Sequence, residues 1–310
     1  MIRYCLTAIT FAAAMLCWQV ASARTLIVGP DQALTQPSQA AARARDGDII
    51  RIEPGTYHDC AIWRASHLLI EGTSPETRLS RKTCAGKGIF VIEGNDITIR
   101  GITFADASVI WHNGAGIRVA GDNLTVENSI FLHNENGILA GGSRNSALRI
   151  RNSVFIGNGA CTGACAHGVY AGGPIRLLDI EHCVFRDTKI AHHIKSRAQN
   201  TIVRGSVIED GPRGTASYLI DVPNGGNVLI AGNAMEKGPR SSNPGVAISI
   251  GEEGVTNPTR NITIRGNAFR NDAPGRTTFV RNDTAASVVL SANAITGNVR
   301  LLSTAPPKQP

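Results

Sequence analysis

The densest group of titratable side chains in the chain lies at 191–197, where the sequence reads AHHIKSR. Two histidines, a lysine and an arginine at this spacing could transfer protons and hold an anionic ligand. The segments SYLIDVPNGG at 217–226 and SIGEEG at 249–254 add a phenol, an amide and three carboxylates. A fold that joins these segments would place acids, bases and cations in one site.

A repeat determines which elements bring these segments together. The phrase ITIRGITF at 97–104 recurs as LTVENSIF at 124–131, LRIRNSVF at 148–155 and LDIEHCVF at 178–185, and more weakly at 201–208, 228–235, 262–269 and 288–295. Copies start 23 to 34 residues apart, a period typical of solenoids. Alternating apolar and polar residues within each copy predict strand rather than helix.

Aligned copies give two columns of like residues. The last position is apolar, in Phe104, Phe131, Phe155, Phe185, Ile208, Met235, Phe269 and Ile295. The third position from the end is small and polar, in Ser129, Ser153, Cys183, Ser206, Asn233, Asn267 and Asn293. Coils of strand stacked at roughly 4.8 Å would place each column inside the molecule as a continuous ladder.

The repeat resembles the right-handed parallel β-helix proteins of the pectin-lyase-like superfamily over roughly residues 25–300. GDIIRIEPGTYHD at 47–59 is similar to their opening phrase, and QPSQAAARARDGD at 36–48 reads as a short amphipathic helix. The resemblance implies an all-β, single-stranded right-handed parallel β-helix with a short N-terminal capping helix. It leaves the activity open, because this fold hosts lyases, hydrolases, epimerases and adhesins.

A second strand in each coil carries the chemistry. It reads GIRV at 116–119, GVYA at 168–171, HIKS at 193–196 and LIDV at 219–222. Its second residue is apolar and should point inward, so its third should point outward. That outward row is Arg118, Leu139, Tyr170, Lys195, Asp221, Ser249 and Arg281. We therefore expect Tyr170, Lys195 and Asp221 to be neighbours on one exposed sheet.

The leading hypothesis is a lyase that cleaves an acidic, uronate-containing polysaccharide by β-elimination. This needs a cation for the uronate carboxylate and a base whose pKa is lowered by burial and cationic neighbours. The predicted catalytic residues are Lys195, His193, Tyr218 and Asp221. The predicted substrate-binding residues are Tyr170, His192, Arg197, Asn224 and Arg118. Resemblance to calcium-dependent lyases of the superfamily suggests Ca²⁺ on Asp221, Glu252 and Glu253.

Three alternatives stay open at this point. A uronate C5-epimerase would begin with the same proton abstraction and return the proton from the opposite face. A glycoside hydrolase or transglycosylase would use Asp221 with Glu252 or Glu253 as its carboxylate pair. A non-catalytic β-helix would only bind a glycan along the same groove.

Chain organisation predicts an exported, monomeric protein. Residues 1–23 read as a signal peptide, with Arg3, an apolar run and an Ala-Ser-Ala ending. Residues 24–302 are assigned to the β-helix and 303–310 to a disordered tail. The net charge of +7 and the lack of a nucleic-acid motif favour an anionic polysaccharide as partner, with no nucleic acid and no membrane span.

Five cysteines follow the predicted signal peptide. In an oxidising compartment we expect the sequence neighbours Cys60 and Cys84 to pair, and likewise Cys161 and Cys165. Cys183 falls in the small polar column, so it is predicted to be a buried free thiol.

Overall fold

The computed structural model describes residues 23–304, which wind into a right-handed parallel β-helix of about ten coils with three parallel sheets. The predicted signal peptide, except its last residue, and positions 305–310 of the predicted tail lie outside this range. The last strand runs to Thr304, so the β-helix extends two residues beyond the predicted boundary at 302.

Strands are numbered along the chain. Sheet A contains β1 Thr25–Val28, β2 Ile49–Ile52, β5 Leu69–Gly72, β8 Ile97–Arg100, β11 Leu124–Glu127, β14 Ala147–Arg151, β19 Leu177–Glu181, β22 Asn200–Arg204, β25 Asn227–Ala231, β28 Ile262–Arg265 and β31 Val288–Ser291. Sheet B contains β3 Gly55–Tyr57, β6 Thr77–Ser80, β9 Thr103–Ala105, β12 Ile130–Leu132, β15 Val154–Ile156, β20 Val184–Arg186, β23 Val207–Glu209, β26 Ala234–Lys237, β29 Ala268–Asn271 and β32 Ala294–Thr296. Sheet C contains β4 Ala61–Trp63, β7 Gly88–Ile92, β10 Ala115–Val119, β13 Asn136–Ala140, β18 Val169–Ala171, β21 Ile194–Ser196, β24 Ile220–Val222, β27 Val246–Ile250, β30 Thr277–Asn282 and β33 Val299–Thr304.

Each repeat phrase folds as two strands, so a coil has three strands where the sequence predicted two. The first half of the phrase joins sheet A and the second half joins sheet B. Between them one residue adopts a left-handed conformation, for example Gly101 at φ 68° and Asn152 at φ 49°. Gly and Asn tolerate this conformation, and the resulting corner turns the chain from one sheet into the next.

The predicted apolar column is confirmed. Phe104, Phe131, Phe155 and Phe185 are register partners in sheet B and are fully buried. Phe131 and Phe155 stack with ring centroids 4.6 Å apart and planes 4° from parallel. This ladder is buried in one hydrophobic core together with the inward Ile, Val and Leu residues of the three sheets, and its burial stabilises the fold.

The small polar column is confirmed as well, and its members bond from coil to coil. The Ser129 backbone N–H donates to Ser153 Oγ at 3.2 Å, and that of Asn233 donates to Asn267 Oδ1 at 2.9 Å. Cys183 keeps the pattern, since its N–H donates to Ser206 Oγ at 3.0 Å. Interior polar groups are stable only when they are bonded in this way.

The N-terminal end carries helix α1, Pro37–Ala41, shorter than the predicted helix at 36–48. It buries Pro37 and Ala40 and contacts β4 and β1.

The two predicted disulfides, Cys60–Cys84 and Cys161–Cys165, are confirmed, and Cys183 is a buried free thiol. Cys161 and Cys165 face each other in a small hairpin, β16 Ala160–Cys161 and β17 Cys165–Ala166. Within residues 23–304, no helix is both long and apolar enough to cross a membrane.

Candidate active site

The outward row of sheet C has the predicted register. Tyr170 pairs with Lys195, Lys195 with Asp221, and Asp221 with Ser249 across β18, β21, β24 and β27. We call Tyr170, Lys195 and Asp221 the strip. Because parallel coils are stacked in register, side chains more than twenty residues apart in sequence become direct neighbours.

Asp221 corrects the expectation of an exposed row, because it is 0% exposed. The turn at 251–254 follows β27 and brings Glu252 and Glu253 beside it, with oxygens of all three carboxylates within 4.8 Å of one another. Among the described residues neither Asp221 oxygen accepts a well-aligned hydrogen bond, and Oδ2 is approached only by Lys195 Nζ at 3.1 Å and His192 Nε2 at 3.5 Å. Burial raises the pKa of Asp221 to about 7; Lys195 opposes this shift and Glu252 adds to it.

Lys195 is a paired cation rather than a free base. Its Nζ lies 2.6 Å from Glu253 Oε1 and 3.1 Å from Asp221 Oδ2. Burial lowers the pKa of Lys195, but the two carboxylates outweigh burial and raise it overall. The condition for Lys195 as a proton-abstracting base, a lowered pKa, is therefore not met, and its ammonium group serves as a fixed positive charge.

His192 and Tyr218 form an aromatic column together with His167 of the preceding coil, at the edge of sheet C where β18, β21 and β24 begin. His192 stacks on His167 and on Tyr218, each at 4.9 Å between ring centroids. The backbone N–H of His192 donates to His167 Nδ1 at 3.2 Å, and the backbone N–H of Tyr218 donates to His192 Nδ1 at 3.1 Å. Each Nδ1 is thus an acceptor, which places the ring proton on Nε2.

The column is held in its neutral form. Burial lowers the pKa of His192 to about 3, with Lys195 adding to the shift, and burial lowers the pKa of His167 well below its usual value. His192 Nε2 lies 3.5 Å from Asp221 Oδ2. Tyr218 Oη donates to Glu252 Oε2 at 2.6 Å, and burial followed by this bond raises the pKa of Tyr218. Tyr218 is therefore a bound phenol, an environment that does not favour the role of base predicted from the sequence.

Tyr170 is the strip's accessible phenol. Its oxygen accepts a hydrogen bond from Arg197 Nε at 3.0 Å. The same guanidinium also donates to Asn224 Oδ1 and to Glu253, so Arg197 is held from three sides. These contacts bring the predicted residues Tyr170, Arg197 and Asn224 together.

Arg118 lies two register steps from Tyr170, through Leu139. Its guanidinium makes no hydrogen bond or ion pair with any residue in the described part of the chain. Burial alone lowers the pKa of Arg118, as expected for a half-buried guanidinium without a counter-ion. A cation left unpaired beside the strip is suited to an anionic ligand.

His193 does not reach the strip, in contrast to its predicted catalytic role. It is fully buried, and its ring bonds to Thr188 Oγ1 at 2.8 Å and to Asp210 Oδ1 at 2.9 Å. Asp210 and the buried Lys237, with Nζ and Oδ2 3.7 Å apart, complete an interior cluster. The sequence analysis missed Asp210 and Lys237. The one sign of them in the sequence is that each is a charged residue two positions after a repeat phrase, those at 201–208 and 228–235.

The carboxylates of Asp221, Glu252 and Glu253 have the donor type of a calcium site but not its free valences. Carboxylate oxygens are the ligands that Ca²⁺ prefers, and Asp221, Glu252 and Glu253 are close enough to share an ion. The Lys195 ammonium, however, already lies against Asp221 and Glu253, and Tyr218 donates to Glu252. Positive charge and donors are supplied by the chain itself, so these residues do not fit a metal ion in this arrangement.

Comparisons with known proteins agree with the architecture. A family model for the right handed beta helix region matches residues 34–173. This match agrees with the three parallel sheets, so the fold is a right-handed parallel β-helix, as expected from the sequence. No curated protein matches it in sequence.

Two solved structures share the fold at low sequence identity. An alginate lyase from Paenibacillus sp. str. FPU-7 superposes with a TM-score of 0.60 at 19% identity, covering 85% of this chain and 96% of that one. The pectate lyase Pel9A superposes with a TM-score of 0.55 at 15% identity, covering 92% of this chain and 80% of that one. At these identities the similarity establishes the fold alone.

Proposed function

We propose that this chain is an exported, monomeric enzyme that cleaves an acidic, uronate-containing polysaccharide by β-elimination. The observation that carries the proposal is the environment of Tyr170, a partly exposed phenol whose oxygen accepts a hydrogen bond from Arg197. An oxygen that accepts a charge-assisted hydrogen bond is well placed to carry negative charge during a proton transfer. Tyr170 thereby replaces Lys195, His193 and Tyr218 as the proposed proton-transferring group.

In the proposed step, the Tyr170 phenolate takes the C5 proton of a uronate residue. The C5–H electron pair forms the C4=C5 double bond while the C4–O bond breaks. The leaving oxygen then receives the proton from Tyr170, so atoms and charges balance with no added reactant. One group can serve both transfers where the proton and the leaving oxygen lie on the same side of the sugar ring.

The cations have separate roles in this proposal. Arg197 donates to the phenol oxygen and Lys195 is its register neighbour in the next coil, and the two cations stabilise the charge that develops on the uronate. Arg118, about 10 Å away at two coil steps, binds the carboxylate of a neighbouring sugar. Asp221 and Glu253 orient Lys195 and do not contact the ligand, and His192 and Asn224 shape the groove around the phenol.

The comparisons support the substrate class. Alginate and pectate are both polyanions, and two of the solved structures that share the fold are an alginate lyase and a pectate lyase. Two disulfides support export to an oxidising compartment. A hydrolase that uses Asp221 is less well supported, because that carboxylate is fully buried and could not reach an anomeric carbon.

The test is the variant Tyr170→Phe, assayed by the absorbance of the unsaturated product on alginate, pectate and glycosaminoglycans. We expect the rate to fall by about 10²- to 10⁴-fold, the usual contribution of a positioned acid or base. Tyr57→Phe is the matched control, since Tyr57 is buried and donates to the Glu53 carbonyl oxygen at 2.9 Å, away from sheet C.

Full activity in Tyr170→Phe would show that the phenol does not transfer the proton. If the wild type gives no unsaturated product but exchanges the C5 hydrogen with solvent by NMR, the reaction is epimerisation. Binding to an immobilised glycan without either reaction would leave the non-catalytic alternative.

A further inference from the structure

The most exposed large apolar side chains in the described part of the chain are adjacent. Ile110 is 83% exposed and Trp111 is 77% exposed, in the loop at 106–114 that joins β9 to β10. Exposed indole surface is unfavourable in water unless a ligand covers it. The proposed elimination has no role for this pair.

The loop is held in place by a buried carboxylate from the next coil. Glu135 is 8% exposed and accepts hydrogen bonds from Gly114 N at 2.6 Å, Val109 N at 3.1 Å and Ser108 Oγ at 2.9 Å. Its Oε1 also lies 3.1 Å from His112 Nδ1. A buried charge is tolerated only with such partners, and here they fix the loop on both sides of Trp111.

The loop is continuous with the candidate active site. Asn136 donates from its backbone N–H to the Gly114 carbonyl oxygen at 2.7 Å, and Asn136 Oδ1 accepts from His167 N at 2.8 Å. His167 is the first residue of the aromatic column with His192 and Tyr218. A series of hydrogen bonds along the edge of sheet C where its strands begin therefore connects the loop to the aromatic column beside the strip.

The distance along the helix axis follows from the register. Arg118, in the same coil as Trp111, is three register steps from Lys195. At roughly 4.8 Å per step, the Trp111 coil lies about 14 Å from the coil of Lys195. A polymer lying along the outer face of sheet C would span that distance, whereas a disaccharide bound beside Lys195 would not.

We propose that Trp111 is a sugar-stacking platform, a subsite that binds a pyranose ring of the polysaccharide two coils from Tyr170 and three coils from Lys195. The C–H face of a pyranose is apolar and flat enough to cover an indole ring, while Arg118 in the same coil accommodates the carboxylate. The identity of the ligand rests on the proposed function, but the subsite needs only binding and not cleavage.

The test compares uronate oligosaccharides of two lengths, a disaccharide and an octasaccharide prepared from alginate and from pectate. Trp111→Ala should weaken octasaccharide binding about three- to ten-fold, the range expected for aromatic stacking, and leave disaccharide binding unchanged. Trp111→Phe should retain part of the affinity, because it keeps a ring. Ile110→Ala is the matched control, as exposed as Trp111 but without a planar face.

Tryptophan fluorescence gives a readout that is independent of activity. Trp63 is fully buried, so octasaccharide should change the emission of the wild type and not that of Trp111→Phe. Equal affinities of Trp111→Ala and wild type for the octasaccharide would overturn the subsite and leave the proposed reaction standing. Length-dependent loss of binding in a protein that makes no unsaturated product would support the subsite and overturn the reaction. If no member of the glycan panel binds the wild type, both proposals are wrong.

Discussion

The buried carboxylate of Asp221 makes a quantitative prediction about stability. Its pKa is about 7 in the folded chain, against an ordinary value of 3.8, because burial penalises the charged form. A difference of about 3 units at 1.36 kcal/mol per unit corresponds to about 4 kcal/mol. The folded state binds this proton more tightly than the unfolded state does. The free energy of unfolding should therefore fall as pH rises from about 4 to about 7.

The variant Asp221→Asn isolates this contribution, since an amide has nearly the same shape and cannot ionise. Urea unfolding is measured for wild type and variant across pH 4 to 8, about the range between the two pKa values. Relative to wild type, the variant should gain up to about 4 kcal/mol over this range, with most of the gain below pH 7. Taking the difference between the two proteins removes the titrations of groups that lie far from Asp221 and are the same in both.

Asp272→Asn is the matched control, because Asp272 is largely exposed and pairs with Arg270 on the surface. Its curve should run parallel to that of the wild type. If the Asp221→Asn curve also runs parallel to the wild type, Asp221 is not buried as an acid of raised pKa, and the described geometry of the strip is wrong.

Two further predictions concern the solenoid itself. Phe155→Ala should lower the free energy of unfolding by about 3–5 kcal/mol, because it opens a cavity between two stacked rings. Val154→Ala, on the outer side of the same strand, should lower it far less. Equal losses of the two variants in denaturant titrations would contradict the stacked ladder. Replacing Cys60 and Cys84 together by Ala should lower the free energy of unfolding by about 3.5 kcal/mol, because the disulfide closes a loop with a sequence separation of 24. A melting temperature equal to that of the wild type would show that the disulfide does not stabilise the fold.

The fold was predictable because its core is periodic. Phe104, Phe131, Phe155 and Phe185 occupy equivalent places in the sequence, so their stacking follows from the alignment of the copies. The corner between sheets A and B was missed, since a single left-handed Gly or Asn within an alternating phrase does not interrupt the pattern. Alternation records which side a residue faces and is silent about a change of direction.

The site was predictable in its register but not in its electrostatics. Simple alternation from Lys195 would point His193 outward, yet Ile190 at φ 36° and Ala191 at φ 68° turn the chain just before β21, and His193 lies inside. The burial of Asp221 depends on the turn at 251–254, which lies about thirty residues further along the chain. The protonation states of Lys195 and Asp221 follow from these contacts, which the sequence alone did not reveal.

The ladder of Ser and Asn side chains has a consequence for how sheet C is read from outside. Each rung fixes one coil against the next, so the coils can neither slip nor change their pitch. The strands of sheet C are therefore spaced at a constant interval of about 4.8 Å, and only the outward-facing side chain differs from one strand to the next. Any linear molecule lying along it meets the same interval at every coil. The selection of one linear molecule over another must therefore come from the positions of Arg118, Tyr170 and Lys195 on these evenly spaced strands.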